Sequence, residues 1–122
     1  VAGADFVALA CPLTDETHHL VDADVLETMD DDAYLINVAR GSVVDEPALI
    51  EALETDAIAG AALDVFETEP LPEESPLWEF DEVLVTPHRS GSTVDYFRLV
   101  GDIVRENVER LDAGEEMTNR VV

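Results

Sequence analysis

The chain alternates short apolar runs with amphipathic segments, which is the pattern of strand and helix units. Four apolar runs predict four strands, at residues 6–10, 34–38, 58–63 and 83–85. The first two are typical of strands buried on both faces. Because helices or long crossovers separate the runs, we expect parallel strands with right-handed connections, in an open α/β sheet covered on both sides.

Two helices are predicted between these strands. Asp22 is a candidate N-cap for a short helix over residues 23–29, and Asp45 caps the next helix, with Pro47 in its first turn. The second helix places three apolar side chains on one face: Leu49, Ile50 and Leu53.

A long amphipathic helix is predicted from Thr93 onward, because apolar residues recur at spacings of three and four until Gly114 stops the helix. Ahead of it, residues 67–81 form a loop rich in Pro and Glu, which is too often interrupted by Pro for a long helix. Four side chains are expected to pin this loop to the protein by packing: Leu71, Leu77, Trp78 and Phe80.

Composition adds an unusual charge. The 122 residues, 47% of them hydrophobic, suffice for one packed core. There are 29 acidic residues and 6 basic ones, all Arg, so the net charge is -23. This surface repels phosphate backbones and anionic membranes, and we expect neither a nucleic-acid nor a membrane partner. Acids spread along the whole chain, with no Lys, indicate adaptation to high ionic strength and hence a halophile's protein.

The cellular compartment is indicated by the lone cysteine. Cys11 forms no intramolecular disulfide, which fits a reducing compartment, and we interpret it as a small buried hydrophobe. No run has the length of a transmembrane helix, and the first residues do not form a signal peptide. A cytoplasmic location is therefore expected.

Polar side chains follow three of the predicted strands. Arg40 comes after the second strand, Asp64 and Glu69 after the third, and His88 after the fourth. Ligands of such sheets bind outside the carboxyl ends of the strands, so these side chains should converge. Arg holds a carboxylate in two parallel hydrogen bonds, and a His oriented by a carboxylate transfers a proton near neutral pH. The set suits interconversion of a carbinol and a carbonyl, with a nicotinamide as the hydride carrier.

Each of these side chains also has a simpler interpretation. An Arg after a strand or a Glu in a loop is commonly a solvated surface residue, and a His in a turn often only satisfies backbone groups. The spacing alone leaves both interpretations open. No metal site is expected, and His18 and His19 are interpreted as surface residues, because no third ligand accompanies them at metal-binding spacing.

Four stretches carry a resemblance to a known family. In chain order they are ACPLTDETHHLVD (10–22), LINVARGSVVDEPALIEAL (35–53), AGAALDVFETEPLPEESPLW (59–78) and VLVTPHRSGST (83–93). Together they resemble the D-isomer-specific 2-hydroxyacid dehydrogenases, which include glyoxylate/hydroxypyruvate reductases and phosphoglycerate dehydrogenases. The resemblance implies the C-terminal half of a Rossmann-like doubly wound parallel sheet in residues 1–92. A long crossover helix and a return segment to a substrate domain would follow in residues 93–122.

The resemblance also implies catalytic roles. The family's substrate-binding Arg falls on Arg40, its catalytic Glu on Glu69 rather than Glu67, and its acid/base His on His88. In the family this Glu and His form a hydrogen-bonded pair, and the His protonates the 2-oxo group as hydride arrives at the same carbon. The implied activity is hydride transfer between NAD(P)H and the 2-oxo group of a small 2-oxo acid.

The implied cofactor is NAD or NADP. By resemblance its contacts fall on Cys11, Pro12, Val38, Ala39, Arg40, Asp64, His88 and Gly91, with Asp64 at the nicotinamide amide. The Gly-rich dinucleotide turn and most of the substrate domain are expected upstream of Val1. A homodimer through the NAD-binding domain is also expected.

Two alternatives stay open. The C-terminal-binding-protein corepressors keep the same Arg, Glu and His, so a non-catalytic NAD-sensing or interaction protein fits the motifs too. Alternatively, the 122 residues are inactive alone, because half of a doubly wound sheet leaves an edge strand and one face uncovered.

Two positions refine the resemblance to the family. Position 89 is Arg where the family usually has an apolar residue, which allows either an anionic substrate or a surface Arg. Glu69, in place of Gln, argues against the formate dehydrogenase branch.

Overall fold

The computed structural model describes residues 1–119, which fall into two compact units. The first unit is Val1–Ser90, and the second begins at Gly91. Across the described residues, helix length and apolar content nowhere reach what a bilayer crossing requires. The last part of the predicted return segment, residues 120–122, lies outside the described residues.

The first unit contains a four-stranded parallel sheet with the strand order β1-β2-β3-β4. The strands are β1 (Phe6–Leu9), β2 (Tyr34–Asn37), β3 (Gly60–Leu63) and β4 (Val83–Val85). Each lies within an apolar run that predicted it, so the expected parallel α/β sheet is confirmed. The pairing register forms one row across the carboxyl end of the sheet: Leu9, Asn37, Leu63 and Val85.

Only one face of this sheet is packed. Leu35 and Leu63 on that face belong to the core. On the opposite face Phe6 is 65% exposed and Leu84 is 63% exposed. The expectations of a sheet covered on both sides, and of β1 and β2 buried on both faces, are therefore wrong for the described residues, since Tyr34 of β2 is also exposed. The strand order explains the result, because right-handed crossovers that all step in the same direction lie on the same face.

Helix α1 (Ala23–Leu26) begins at the predicted cap, where the Asp22 carboxylate accepts a hydrogen bond from the Val25 N–H at 3.0 Å. It ends before the predicted position 29. The Thr28 N–H bonds to a carbonyl three residues back, and its hydroxyl donates to the Val25 carbonyl at 2.7 Å. This tighter bonding ends the regular helix.

Helix α2 (Glu46–Glu54) follows the second predicted cap, and Pro47 lies in its first turn. The Asp45 carboxylate accepts from the Ala48 N–H at 3.1 Å. The predicted apolar face is present, with Leu49 and Leu53 buried and Ile50 half-buried. The packed core thus joins this face and α1 to the sheet.

The loop between β3 and β4 is anchored by fewer side chains than predicted. Leu71 and Leu77 are buried, and Phe80 is half-buried. Trp78 is 52% exposed, which corrects its predicted role as a packing anchor. Its indole N–H donates to the Pro72 carbonyl at 2.9 Å, so the polar group is satisfied within the loop and the ring stays at the surface.

The second unit consists mainly of helix α3 (Tyr96–Ala113). It begins at Tyr96 rather than Thr93, because the Tyr96 N–H closes a turn on the Thr93 carbonyl. Gly114 ends it as predicted, in the left-handed conformation at a φ of 73°. Along this helix the Arg side chains pair with neighbouring carboxylates, and they are Arg98, Arg105 and Arg110.

Candidate active site

The turn after β2 is shaped by Asn37, the last residue of that strand. Its side chain is fully buried, and its amide donates to the Arg40 carbonyl and accepts from the Ala39 N–H, both at 3.0 Å. These bonds satisfy the buried amide and fix the backbone that carries Arg40. Sequence reasoning missed Asn37, although a polar residue at the end of an apolar run was an available signal.

The same turn packs tightly on the loop after β3. A Cβ built on Gly41 would lie 1.9 Å from the backbone carbonyl carbon and oxygen of Phe66, and 2.4 Å from the Glu67 nitrogen. Backbone atoms cannot move aside as a flexible side chain can, so only Gly fits. This contact sets the position of the Arg40 turn against the loop that carries Glu69.

Arg40 is exposed, and its Nη1 donates to the Ala39 carbonyl at 2.6 Å. Unlike the Arg side chains of α3, it has no carboxylate within ion-pair distance in residues 1–119. A guanidinium has five N–H donors, so most of them remain for a ligand. A carboxylate is the ligand that matches this fork of donors.

His88 and Glu69 form a hydrogen-bonded pair. His88 Nδ1 donates to Glu69 Oε2 at 2.7 Å, and Glu69 Oε1 accepts from the Phe66 N–H at 3.1 Å. The bond from His88 lowers the pKa of Glu69, which outweighs the opposing effect of partial burial. Glu69 is therefore ionised at neutral pH and keeps the proton of the ring on Nδ1. Nε2 is the ring nitrogen that can meet a ligand.

The backbone around His88 adopts an uncommon conformation. Its φ of 49° lies in the left-handed region, which residues other than Gly rarely adopt. The His88 N–H donates to the Asp64 carbonyl at 2.8 Å. This hydrogen bond to the residue after β3 holds the backbone of His88 in the uncommon conformation.

The segment around His88, residues 86–90, is bonded to the carboxylate of Asp64. Asp64 is buried, with 3% of its surface exposed. It accepts from the Thr86 hydroxyl at 2.6 Å and from the N–H groups of Arg89 and Ser90 at 2.8 and 2.7 Å. Burial alone would raise the pKa of Asp64, but these bonds together hold it well below its ordinary value. An ionised Asp64 thus fixes the backbone on both sides of His88.

Three adjoining clefts follow the carboxyl edge of the sheet. The Arg40 cleft, of about 440 Å³, is lined by Ala10, Cys11, Pro12, Leu13, Val38, Ala39 and Arg40. The Asp64 cleft, of about 180 Å³, shares Val38 with it and extends over the unpacked face of the sheet, where Ile36, Ala62 and Leu84 line it. The His88 cleft, of about 380 Å³, shares Thr86 with the Asp64 cleft and contains Glu69. Its other lining residues are largely apolar: Phe66, Pro70, Leu71, Trp78, Val85 and Pro87.

The structure brings the predicted residues together in subsets. Five residues predicted to contact the cofactor share the Arg40 cleft, and two predicted to be catalytic, Glu69 and His88, share another. Arg40 does not line the His88 cleft, so the three residues predicted to be catalytic line two different clefts. Gly91 belongs to the second unit. Cys11 is half-buried, which makes it part of a cleft wall rather than of the core.

A parallel α/β sheet with a cationic turn and a His–Glu pair at its carboxyl edge has the architecture of a domain that binds its ligand at that edge. The family model described as D-isomer specific 2-hydroxyacid dehydrogenase, NAD binding domain, matches residues 1–90. The chain therefore belongs to this family, and the family assignment made from the motifs is confirmed.

Individual relatives agree with this assignment. A glyoxylate reductase from Thermofilum pendens is 46% identical over 112 residues, which is 92% of this chain and 33% of the relative. A glyoxylate/hydroxypyruvate reductase B from an Enterobacter species is 53% identical over 90 residues, which is 74% of this chain and 28% of the relative.

Among solved structures, the D-isomer specific 2-hydroxyacid dehydrogenase from Xanthobacter autotrophicus Py2, in complex with NADPH and MES, has a TM-score of 0.88 and 48% sequence identity. The match covers 98% of this chain and 49% of that one. The chain thus spans a third or less of these two reductases and about half of this solved chain.

Proposed function

We propose that the chain is part of an NAD(P)-dependent 2-hydroxyacid dehydrogenase that reduces the 2-oxo group of a small 2-oxo acid. The observation that carries the proposal is the His88–Glu69 pair, with Nε2 of His88 left for a ligand. The Arg40 turn is fixed against the same loop through Gly41. A proton donor and a carboxylate-binding group at one sheet edge are what a 2-oxo acid requires.

The lining of the Arg40 cleft fits a dinucleotide. The chain carries 29 acidic residues, yet none of them lines this cleft, and its one charged side chain is Arg40. An anionic pyrophosphate is therefore not repelled there. Cys11, Pro12, Val38 and Ala39 supply a mostly apolar wall for the rest of the cofactor. When bound, a reduced nicotinamide supplies the hydride.

Proton transfer is the part of the reaction performed by this chain. We assign His88 as the general acid that gives the Nε2 proton to the 2-oxo oxygen while hydride adds to the C2 carbon. Glu69 orients the ring through Nδ1 and stabilises the positive charge that the ring carries before the transfer. The product is a 2-hydroxy acid, and the ring is left neutral until it takes a proton from solvent.

Arg40 is assigned to the substrate carboxylate. Asn37 fixes the backbone of the turn that carries Arg40, and the bond from Nη1 to the Ala39 carbonyl restrains the guanidinium itself. The predicted contacts of Asp64 and Gly91 with the nicotinamide remain part of the proposal. Asp64 supports it in one respect, because it borders the cleft between the Arg40 and His88 clefts.

Replacement of His88 tests the proposal. In the full-length enzyme, His88→Ala is expected to lower kcat for glyoxylate or hydroxypyruvate by about 10²–10⁴-fold, because the proton donor is lost. Steady-state oxidation of NADH and NADPH measures it. The exposed His18 provides the matched control, and His18→Ala should leave kcat unchanged.

Two outcomes would contradict the proposal. A His88→Ala enzyme with wild-type kcat removes His88 from the mechanism. A full-length protein that binds reduced cofactor but turns over no 2-oxo acid is instead the non-catalytic NAD-sensing or interaction protein.

The setting of the enzyme is also proposed: a cytoplasmic homodimer of a halophile, paired through the NAD-binding domain. The net charge of -23 and the single half-buried cysteine support the saline, reducing compartment. Exposed apolar side chains such as Phe6 and Leu84 provide surface that further protein can cover. Sedimentation of the full-length protein in concentrated KCl tests the dimer, and a mass of one chain would contradict it.

A further inference from the structure

A second histidine lies outside the proposed catalytic pair, in a cluster of carboxylates. His19 Nε2 is 2.9 Å from Glu67 Oε1, and its Nδ1 is 3.6 Å from Asp45 Oδ2. The Glu67 N–H donates to the Glu46 carboxylate at 3.2 Å, and burial, together with repulsion from Glu67, raises the pKa of Glu46. Among these four side chains, only His19 can donate hydrogen bonds to the others when the acids are ionised.

The backbone holds His19 at this point. Its φ is 50°, in the left-handed region that is uncommon for a residue with a Cβ. The His19 N–H donates to the Ser42 carbonyl at 2.8 Å, and Val21 forms a parallel bridge with Val44. The segment that carries His19 is therefore bonded to the turn directly after Gly41.

Glu67 connects this cluster to the proposed active site. It directly follows Phe66, whose N–H bonds to the Glu69 carboxylate, and it precedes Glu69 by two positions. The Phe66–Glu67 backbone is also the surface against which Gly41 packs. The position of Glu67 thus affects the backbone N–H that holds the Glu69 carboxylate toward His88.

We propose that His19 is a positioning residue for the reaction: by binding the Glu67 carboxylate it holds the Phe66–Glu67 backbone in the place where the Phe66 N–H orients Glu69 on His88. The inference rests on the proposed function. His19 touches neither Glu69 nor His88, so it acts only through this backbone. Within the described residues the cluster is not a metal site.

An isolated pair of this exposure contributes little to stability, since the side chains of His19 and Glu67 are about one-third exposed. We expect the His19–Glu67 pair to affect the position of Glu69 and His88 instead. Small misplacements of a catalytic group lower kcat strongly while substrate binding changes little. The expected signature is therefore a loss of kcat with an unchanged KM and an unchanged melting temperature.

The experiment uses three variants of the full-length enzyme. His19→Ala is expected to lower kcat by about 5–20-fold, with KM within about twofold of wild type. His19→Gln keeps a donor near the position of Nε2 and is expected to restore most of kcat. His18→Ala removes the exposed ring stacked on His19 at 4.0 Å and should have wild-type kcat. Wild-type kcat in His19→Ala overturns the inference.

A double-mutant cycle distinguishes positioning from general loss of structure. If His19 acts through Glu67, then Glu67→Ala has little further effect on kcat in the His19→Ala background. Effects that multiply independently overturn the inference. Independently of turnover, ¹⁵N chemical shifts of the His88 ring should change in His19→Ala, and unchanged shifts also overturn it. If the wild-type enzyme reduces no 2-oxo acid, the proposed function fails while the ring shifts still decide the role of His19.

Discussion

Three carboxylates around the loop after β3 differ in what they do because they differ in what donates to them. Asp64 accepts from a hydroxyl and two backbone N–H groups, Glu69 from an imidazole and one N–H, and Glu67 lies against a second imidazole. Glu67 and Glu69 are two positions apart and chemically identical. Because Glu69 binds His88, it belongs to the proposed active site. Because Glu67 binds His19, its proposed role is to hold the backbone next to that site.

Asp64→Asn is expected to destabilise the domain by about 2–4 kcal/mol at pH 7, because an amide accepts at one atom and its NH₂ group would face a backbone N–H. Although burial opposes this, the hydrogen bonds that Asp64 accepts hold its pKa in the folded protein below the ordinary value of 3.8. Its stabilisation is therefore fully present at pH values well above the ordinary pKa, begins to decline as the unfolded chain takes up a proton, and is lost as the pH falls through the lowered folded pKa. Urea unfolding of wild type and variant should show a difference that shrinks between about pH 5 and about pH 2.

An exposed acid serves as the control for this prediction. Asp32 is exposed and, like Asp64, becomes an amide when replaced by Asn. Asp32→Asn should change the free energy of unfolding by less than about 0.5 kcal/mol at either pH. An Asp64→Asn protein as stable as the Asp32→Asn protein at pH 7 would show that the buried carboxylate is not the anchor of this segment.

Which site residues are visible in the sequence depends on how far away their partners lie. Arg40, Glu69 and His88 follow strands, and the geometry of parallel sheets brings strand ends to one edge, so their neighbourhood was predictable. His19 and Gly41 depend on Glu67 and Phe66, which are distant in the chain. No periodicity reports such a contact, and His19 was therefore interpreted as a surface residue.

At the scale of elements, the contact between the β2 turn and the β3 loop is expected to tolerate no side chain at Gly41. Gly41→Ala places a methyl group 1.9 Å from the Phe66 backbone, so one of the two segments must move. We expect a loss of at least about 2 kcal/mol in unfolding free energy and a lower kcat, since the turn carries Arg40. Thermal melting and steady-state kinetics of the full-length enzyme measure both.

Gly101 provides the matched glycine control. It lies within α3, and a Cβ added there meets nothing within 4 Å. Gly101→Ala should stabilise the protein slightly or leave it unchanged, because Ala favours a helix over Gly by about 1 kcal/mol. Equal melting temperatures for the two Ala variants would mean that the Gly41 contact relaxes without cost.

The elements themselves were largely predictable, but their layering was not. Apolar runs marked all four strands, and Asp22 and Asp45 marked two helix starts. An apolar run does not tell which strand is its neighbour, and the side of the sheet taken by each crossover depends on that order. The exposed face with Phe6 follows from the order β1-β2-β3-β4, which periodicity does not contain.

At the scale of the whole molecule, the Arg side chains differ in whether they lie close to acidic residues. Three Arg side chains neutralise acids along α3, whereas Arg40 faces a cleft without acids. The remaining excess of acids, which sets the net charge at -23, repels itself and weakens the compact state at low salt. Salt screens this repulsion, because the Debye length falls from about 10 Å at 0.1 M to about 3 Å at 1 M.

The melting temperature of the full-length enzyme is therefore expected to rise by several degrees between about 0.1 and about 1 M KCl. Sucrose at the same osmolality is excluded from the protein surface but does not screen charge. The melting temperature should therefore rise more in KCl than in sucrose. Replacement of the exposed pair Asp31 and Asp32 by Asn should reduce the dependence on KCl, since it removes two of the repelling charges. Melting that is independent of KCl, or equal in KCl and sucrose, would show that the acidic surface does not limit stability, and the proposal of a halophile's enzyme would lose its physical basis.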